Sequence, residues 1–522
     1  MIRKKVRIIA PTLIALVWVG LPSSLQAEIR LPAVIGDHMV IQQNKPVSIW
    51  GWAEPGEEVS VRLSGQEMKA RAGGDGGWRV AFPALKAGGG TLEILVRGER
   101  GLEVAVGDIQ VGEVWVCSGQ SNMEWPLSMT ASPTPEILRA DHPGIRLFLV
   151  PRRTSDRPQD DLKAVWTPCS PETAAPFSAV AYYFGLELHQ KLGIPIGLIE
   201  SAWGGTAIEP WIPPAGLISV PETKTIWDAL ELKVEAYRND LGKALPAWEA
   251  WVRESRRLIA GKAELPPRPD YPGHPLDDPQ APTALYNGMI HPLIGLAVRG
   301  AIWYQGESNR NDGLSYGKKM EALIRGWREA WGLGEFPFLY VQLAPFDYPY
   351  DRESAGGDVP DFLRLPLIWE AQMNALQIPN TGMAVTTDIT DLNDIHPRNK
   401  KDVGARLALW ARARTYGETT IVPSGPLYKS MSIEEDRVRI FFAYDGGGLI
   451  ANDGLPLRWF EVAGDDHTFY KAEAVIDGET VVVRSRKVAT PKAVRFGWHQ
   501  TAVPNLADRQ GLPASPFRTD RW

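Results

Sequence analysis

The sequence predicts an α/β protein in which a parallel sheet, covered on both faces, spans residues 106–417 between two β-rich units. Three observations carry that expectation. Through the middle of the chain, apolar runs that read as buried strands alternate with helix-length segments, the signature of a doubly covered sheet. Four of those runs stop abruptly at small, amide or acidic residues. The flanking stretches lose the helical segments and show short strands separated by glycine-rich turns.

At the start of the chain, Arg3, Lys4, Lys5 and Arg7 precede an apolar run from Ile8 to Leu21, then Ser23, Ser24 and Ala27. A charged head, an apolar middle and a small residue at the end read as a secretory signal over residues 1–27. The run is short for a membrane span, and no cysteine follows it for lipid attachment, so no stable membrane anchor is expected. The expected location is periplasmic or extracellular. Loss of those four cations moves the net charge from -6 to -10. That balance argues against nucleic acid as the main partner, because neutralising phosphates needs a basic face.

Residues 28–105 read as a small β-sandwich-like domain. Val47-Ser48-Ile49-Trp50-Gly51-Trp52 and Val59-Ser60-Val61-Arg62-Leu63 are divided by Glu54-Pro55-Gly56, and Gly73-Gly74-Asp75-Gly76-Gly77 marks another turn. From 106 to 417 strands and helices alternate. Residues 180–192 are helix-like and end at Gly193 and Pro195. Residues 223–262 form a charged helical insertion, residues 264–282 a proline-rich connection, and 316–331 and 400–414 complete the helical layer. The remainder, 418–522, returns to β patterns such as Val438-Arg439-Ile440-Phe441-Phe442, either as a separate sandwich or packed back on the middle unit. No internal repeat is evident.

The four strand ends carry the chemistry. Val114-Trp115-Val116-Cys117 runs into Ser118-Gly119-Gln120-Ser121-Asn122-Met123, and Leu198-Ile199 into Glu200-Ser201-Ala202-Trp203-Gly204-Gly205-Thr206. Ala301-Ile302-Trp303-Tyr304 leads to Gln305-Gly306-Glu307-Ser308-Asn309, and Met383-Ala384-Val385 to Asp388, followed by Asp394-Ile395-His396-Pro397. Ligands of open α/β sheets bind beyond the carboxyl ends of the strands. Ester hydrolysis through a serine needs a base, an acid that orients the base, and donors aimed at the developing oxyanion. Ser121 sits on the turn, His396 follows a strand end, and Asp394 stands two residues before it. Gly204 and Gly205 bare backbone N–H groups, and Gln305 or Asn309 offers a side-chain amide. Gln120, Trp203, Glu307 and Arg398 are the candidate substrate contacts. A sugar carboxylate would call for a cation, Arg310 or Arg398. Glu307 with Asp394 would instead make a carboxylate pair for glycoside cleavage.

The same four blocks, Gly119-Gln120-Ser121-Asn122-Met123, Trp203-Gly204-Gly205-Thr206, Trp303-Tyr304-Gln305-Gly306-Glu307-Ser308-Asn309 and Asp394-Ile395-His396-Pro397-Arg398-Asn399-Lys400, resemble those of the sialate O-acetylesterase family. The resemblance covers most of the chain after residue 27, through Gly511-Leu512-Pro513-Ala514-Ser515-Pro516-Phe517-Arg518-Thr519-Asp520. It implies an SGNH hydrolase domain, a flavodoxin-like three-layer α/β/α sheet, acting on acetylated carbohydrate. It implies Ser121 as nucleophile and His396 as general base. The wider superfamily places its aspartate three residues before the histidine, where this chain has Asn393. The acid is therefore Asp394, Asp391 or Asp388, or a backbone carbonyl takes its place. Acetylated xylan or another plant polysaccharide is the alternative substrate. A carbohydrate-binding protein with a vestigial hydrolase domain is the alternative of another class.

No cofactor is expected, and no metal, since zinc-ligand spacings and His-Glu-x-x-His are absent. Cys117 and Cys169 either pair in an oxidising compartment or lie singly as small apolar residues. Among the 20 tryptophans, Trp125, Trp203, Trp211 and Trp303 adjoin the blocks and are expected near the substrate.

Overall fold

The computed structural model describes residues 29–99, 101–349 and 359–522. The expected signal segment, 1–27, lies outside them.

The central sheet is built around one long strand, β1 (Glu103–Gly119). In chain order the others are β2 (His142–Leu149), β3 (Trp166–Cys169), β4 (Ile196–Ala202), β5 (Gly300–Tyr304), β6 (Phe338–Val341) and β7 (Thr381–Ala384). Their spatial order is β7-β6-β5-β1-β4-β2-β3, all parallel except β3 against β2. Val114 to Cys117 are buried, as a central parallel strand sheathed on both faces requires. From β1 the chain passes to β4 on one side and later to β5 on the other. That reversal opens a crevice at the carboxyl end of β1, where ligands of such sheets bind.

Both faces are covered, as the α/β/α expectation requires. Trp115 on β1 meets Phe184 edge-on, with ring centroids 5.0 Å apart. Phe184 belongs to α1 (Ala179–Leu192), which Ser178 caps at its start and left-handed Gly193 closes, at φ 67°. Trp303 on β5 stands opposite Ser118 of β1, three positions from Trp115 and therefore on the other face. It packs there on Trp327 at 6.1 Å, in α2 (Tyr316–Trp331). A third helix, α3 (Lys400–Trp410), lies against α1.

The expected domain boundary at 105/106 falls inside β1. Its first half pairs with Leu92–Gly98 in the N-terminal β unit and its second half with β4 and β5. One apolar core runs continuously through both units. The C-terminal strands enclose a separate core between two four-stranded sheets. They also pack back on the middle unit, through Gln342 to Ser515 at 2.8 Å and Arg518 to Glu370 at 2.9 Å. The helical insertion is a 40-residue helix, Pro221–Ala260. The proline-rich connection returns along it, held by Trp251 Nε1 on the Pro266 carbonyl and Trp248 Nε1 on that of Asp270. Cys117 and Cys169 are both buried and free.

Candidate active site

The turn that carries Ser121 follows from a close approach of two strands. Gly119 adopts φ +142°, and a Cβ there would stand 2.2 Å from the Tyr304 carbonyl oxygen. Gln120 donates its N–H to that carbonyl at 3.0 Å, and Ser121 opens a single helical turn, Ser121–Glu124. The Gln120 side chain, expected at the substrate, turns inward. It is 3% exposed, and its Oε1 accepts the Ser308 N–H at 3.3 Å. It therefore braces the loop after β5.

His396 Nε2 lies 2.9 Å from Ser121 Oγ across a separation of 275 residues. Asp394 accepts the His396 backbone N–H at 2.9 Å, and its carboxylate stands 3.6 Å from Nδ1. That is a charge contact, longer than a hydrogen bond. Asp388 is committed to Arg406 by two bonds of 2.6 and 2.7 Å, and Asp391 accepts the Asn393 N–H at 3.0 Å. Of the three carboxylates, Asp394 is the one in contact with the imidazole. Trp125 stacks on the ring, centroids 4.9 Å apart at 19°. Burial pushes the His396 pKa below its usual 6.5, and the Lys400 cation adds to the shift against the opposing pull of Asp394. The ring thus stays neutral, and able to accept a proton, into mildly acidic solution.

The expected oxyanion donors divide. Gln305 is fully buried, donating to the Thr206 carbonyl at 3.2 Å and to Asn309 Oδ1 at 2.7 Å, while Tyr316 donates to its Oε1 at 2.8 Å. Asn309 accepts the Ile208 N–H at 2.9 Å and donates to Glu209 and Asp312 at 3.1 and 2.7 Å. Both amides are spent on holding loops together, so neither is free to face an oxyanion. The Gly204 N–H is taken by Glu124 Oε2 at 2.9 Å. Among the described residues the Ser121 and Gly205 N–H groups carry no hydrogen bond. Gly205 adopts φ +77°, and its peptide is clamped by Gln280. That side chain donates to the Gly205 carbonyl at 2.8 Å and accepts the Ala207 N–H at 3.0 Å.

The other predicted contacts are sorted by burial. Glu307 faces the interior, where Asn122 Nδ2 donates to its Oε1, and burial raises its pKa. It is therefore neither a substrate contact nor half of a glycosidase carboxylate pair. Trp211 and Trp303 are 0% and 1% exposed and belong to the core. Trp125 and Trp203 remain at the site, Trp203 beneath the Arg152 guanidinium at 5.7 Å. Arg152 Nε donates to Glu124 Oε1 at 2.7 Å. Arg398 is exposed, whereas Arg310 is buried on Asp361 at 3.2 Å and under Tyr348. Sequence reasoning missed Asn122, Glu124, Arg152, Gln280 and Lys400. Asn122 and Lys400 lie inside the quoted blocks, a signal that was present but carried no chemistry by itself.

Among the described residues no group of three or more His, Cys, Asp or Glu side chains could hold a metal ion. A serine hydroxyl on an imidazole, beside two unspent N–H groups, can carry out acyl transfer.

Residues 273–411 match the family model described as carbohydrate esterase, sialic acid-specific acetylesterase. The sialate O-acetylesterase of Rattus norvegicus is 31% identical over 539 residues, covering 94% of each chain. That of Homo sapiens is 30% identical over 436 residues, 77% of this chain and 74% of that one. A crystal structure of a carbohydrate acetylesterase from Xanthomonas citri superposes with a TM-score of 0.79 at 37% identity, covering 95% of this chain and 100% of that one.

Proposed function

The chain belongs to the sialate O-acetylesterase family, and from that premise we propose that it is a secreted esterase removing O-acetyl groups from sialic acid. Carbohydrate O-acetylesterase activity is the part of this reading that family membership supplies. The observation that carries the mechanism is the 2.9 Å contact between Ser121 Oγ and His396 Nε2.

Ser121 attacks the acetyl carbonyl as His396 takes its proton, and Asp394 orients the imidazolium. The tetrahedral oxyanion is received by the N–H groups of Ser121 and Gly205. The sugar hydroxyl leaves protonated by His396, and water, activated by the same imidazole, releases acetate. An exposed cation supports an acidic sugar: Arg398, two residues after His396. Secretion rests on the pattern of residues 1–27.

The test is acetate release by wild type and Ser121→Ala from acetylated sialic acid and acetylated xylan. Serine-dependent release from sialic acid is expected. Release from xylan alone would keep the mechanism and overturn the substrate. Full turnover by folded Ser121→Ala would overturn both.

A further inference from the structure

Behind Ser121 lies a buried polar chain that the acyl-transfer steps do not use. Lys400, at the start of α3, is fully buried and donates its Nζ to Asn122 Oδ1. Asn122, 1% exposed, donates its Nδ2 to Glu307 Oε1 and to the Ile395 carbonyl, the latter at 3.1 Å. The second Glu307 oxygen, Oε2, is buried without a hydrogen-bond partner. The Lys400 Nζ lies 5.4 Å from the Tyr304 ring centre and 5.6 Å from that of Trp125, whose other neighbour is His396.

One amide thus joins the residue after the nucleophile to the peptide before the base. The orientation of that amide is decided by its ends. Its oxygen must face an ammonium, which has only donors, and its nitrogen must face a carboxylate and a carbonyl, which accept. A lysine out of water keeps its charge only with help from a nearby anion, and Glu307, at the other end of the Asn122 amide, supplies it.

We propose that Lys400, held by Asn122 and countered by Glu307, is a positioning residue of the esterase, locking the Ser121 turn to the His396 loop and setting a cation against the Trp125 ring that stacks on the imidazole. The inference rests on the reading of Ser121 and His396 as nucleophile and base. The titratable groups around Lys400 are Glu307, Asp394 and His396. Tyr304 and Tyr348 face Glu307, and Arg310 faces Tyr348. Burial brings the Lys400 pKa down to about 7, while Glu307 and Asp394 pull it back up. Below that pH Lys400 carries its charge, and the repulsion disfavours a proton on His396. In the wild type, therefore, the acid limb of activity is displaced downward, and removing the cation moves it up.

The experiment is the pH profile of kcat/KM on a neutral aryl acetate for wild type, Lys400→Met, Lys400→Arg and the double variant Lys400→Met/Glu307→Gln. Folding is checked by circular dichroism and melting. Lys400→Met is expected to raise the acid limb by about half a pH unit to one unit and to lower kcat about ten-fold with KM little changed. Lys400→Arg, which keeps the charge, is expected to leave the limb at its wild-type position. The double variant removes both charges together, so no buried charge is left unpaired, and it decides the matter if Lys400→Met does not fold. A folded Lys400→Met with the wild-type limb and kcat overturns the proposal, as does an equal limb shift in Lys400→Arg and Lys400→Met; if Lys400→Met does not fold, wild-type kcat in the folded double variant, which has lost the link between the two loops, overturns it. Any of these results, with Ser121→Ala inactive, leaves the serine mechanism standing; activity in Ser121→Ala overturns both.

Discussion

Asp394 touches His396 twice, accepting its backbone N–H at 2.9 Å and standing 3.6 Å from Nδ1. One carboxylate therefore both shapes the loop and stands behind the imidazole. Asp394→Ala is expected to lower kcat by about 100- to 10,000-fold, with KM little changed in steady-state kinetics. Asp388→Asn is expected to act differently. It weakens the two-bond pair with Arg406, costing about 2 kcal/mol of stability in a denaturant melt while leaving kcat within a few-fold. Equal kinetic losses in the two variants would contradict the assignment of Asp394.

The donors of Asn309 and Gln305 are spent on protein groups. Asn309→Ala is therefore expected to lower the melting temperature by unpairing the Ile208 N–H, a loss of about 1–3 kcal/mol. Its effect on kcat at a temperature where it is folded should stay within about three-fold, far short of the 100- to 1000-fold typical of a lost oxyanion donor. The larger selective effect belongs to Gln280→Ala, which frees the Gly205 peptide. About ten-fold lower kcat at nearly constant KM is expected there.

His396 is held below the ordinary histidine pKa of 6.5, so kcat/KM should rise with pH through a midpoint lower than that value. The deprotonated form is the active base, and activity is lost as pH falls through the shifted pKa. A midpoint above 6.5 would show that Asp394 outweighs burial and Lys400.

Glu200 supplies a stability prediction. It is 2% exposed, accepts the Ser178 N–H at 2.7 Å, and burial pushes its pKa from 4.5 up to about 8. Between those values the folded chain retains a proton that the unfolded chain has lost, so stability falls as pH rises across that window. The slope is at most about 1.4 kcal/mol per pH unit for one group. Glu200→Gln should flatten it, as read from denaturant midpoints between pH 5 and 9.

Arg398→Ala tests the acidic-sugar reading. Its exposed guanidinium should matter for a sialic acid carboxylate and not for an uncharged aryl acetate. A KM increase of about ten-fold confined to the anionic substrate is expected.

The meeting of Ser121 and His396 was legible in the sequence because each closes or follows an apolar strand. In a parallel sheet, the ends of neighbouring strands must converge. Gly119, Ala202 and Tyr304 indeed stand side by side in register. Asp394 was legible only as one of three candidates, and the choice fell to Arg406, which occupies Asp388 from 18 residues away. Gln305, Asn309, Gln120 and Glu307 were misread for one shared reason. A polar residue at a strand end can face the crevice or the packing behind it, and proximity in sequence is the same either way.

The chain by itself determined the doubly covered parallel sheet, the family and the two side chains, Ser121 and His396, that meet at the crevice, because periodicity and strand-end position are properties of consecutive residues. It did not determine where the N-terminal unit ends, since β1 serves both sheets without a break. Nor did it determine which N–H groups stay unspent, or that Lys400 is buried behind the nucleophile. Those were decided by tertiary structure, because the direction of a polar side chain follows from partners that folding brings from distant parts of the chain, as with Lys400 and Asn122, 278 residues apart.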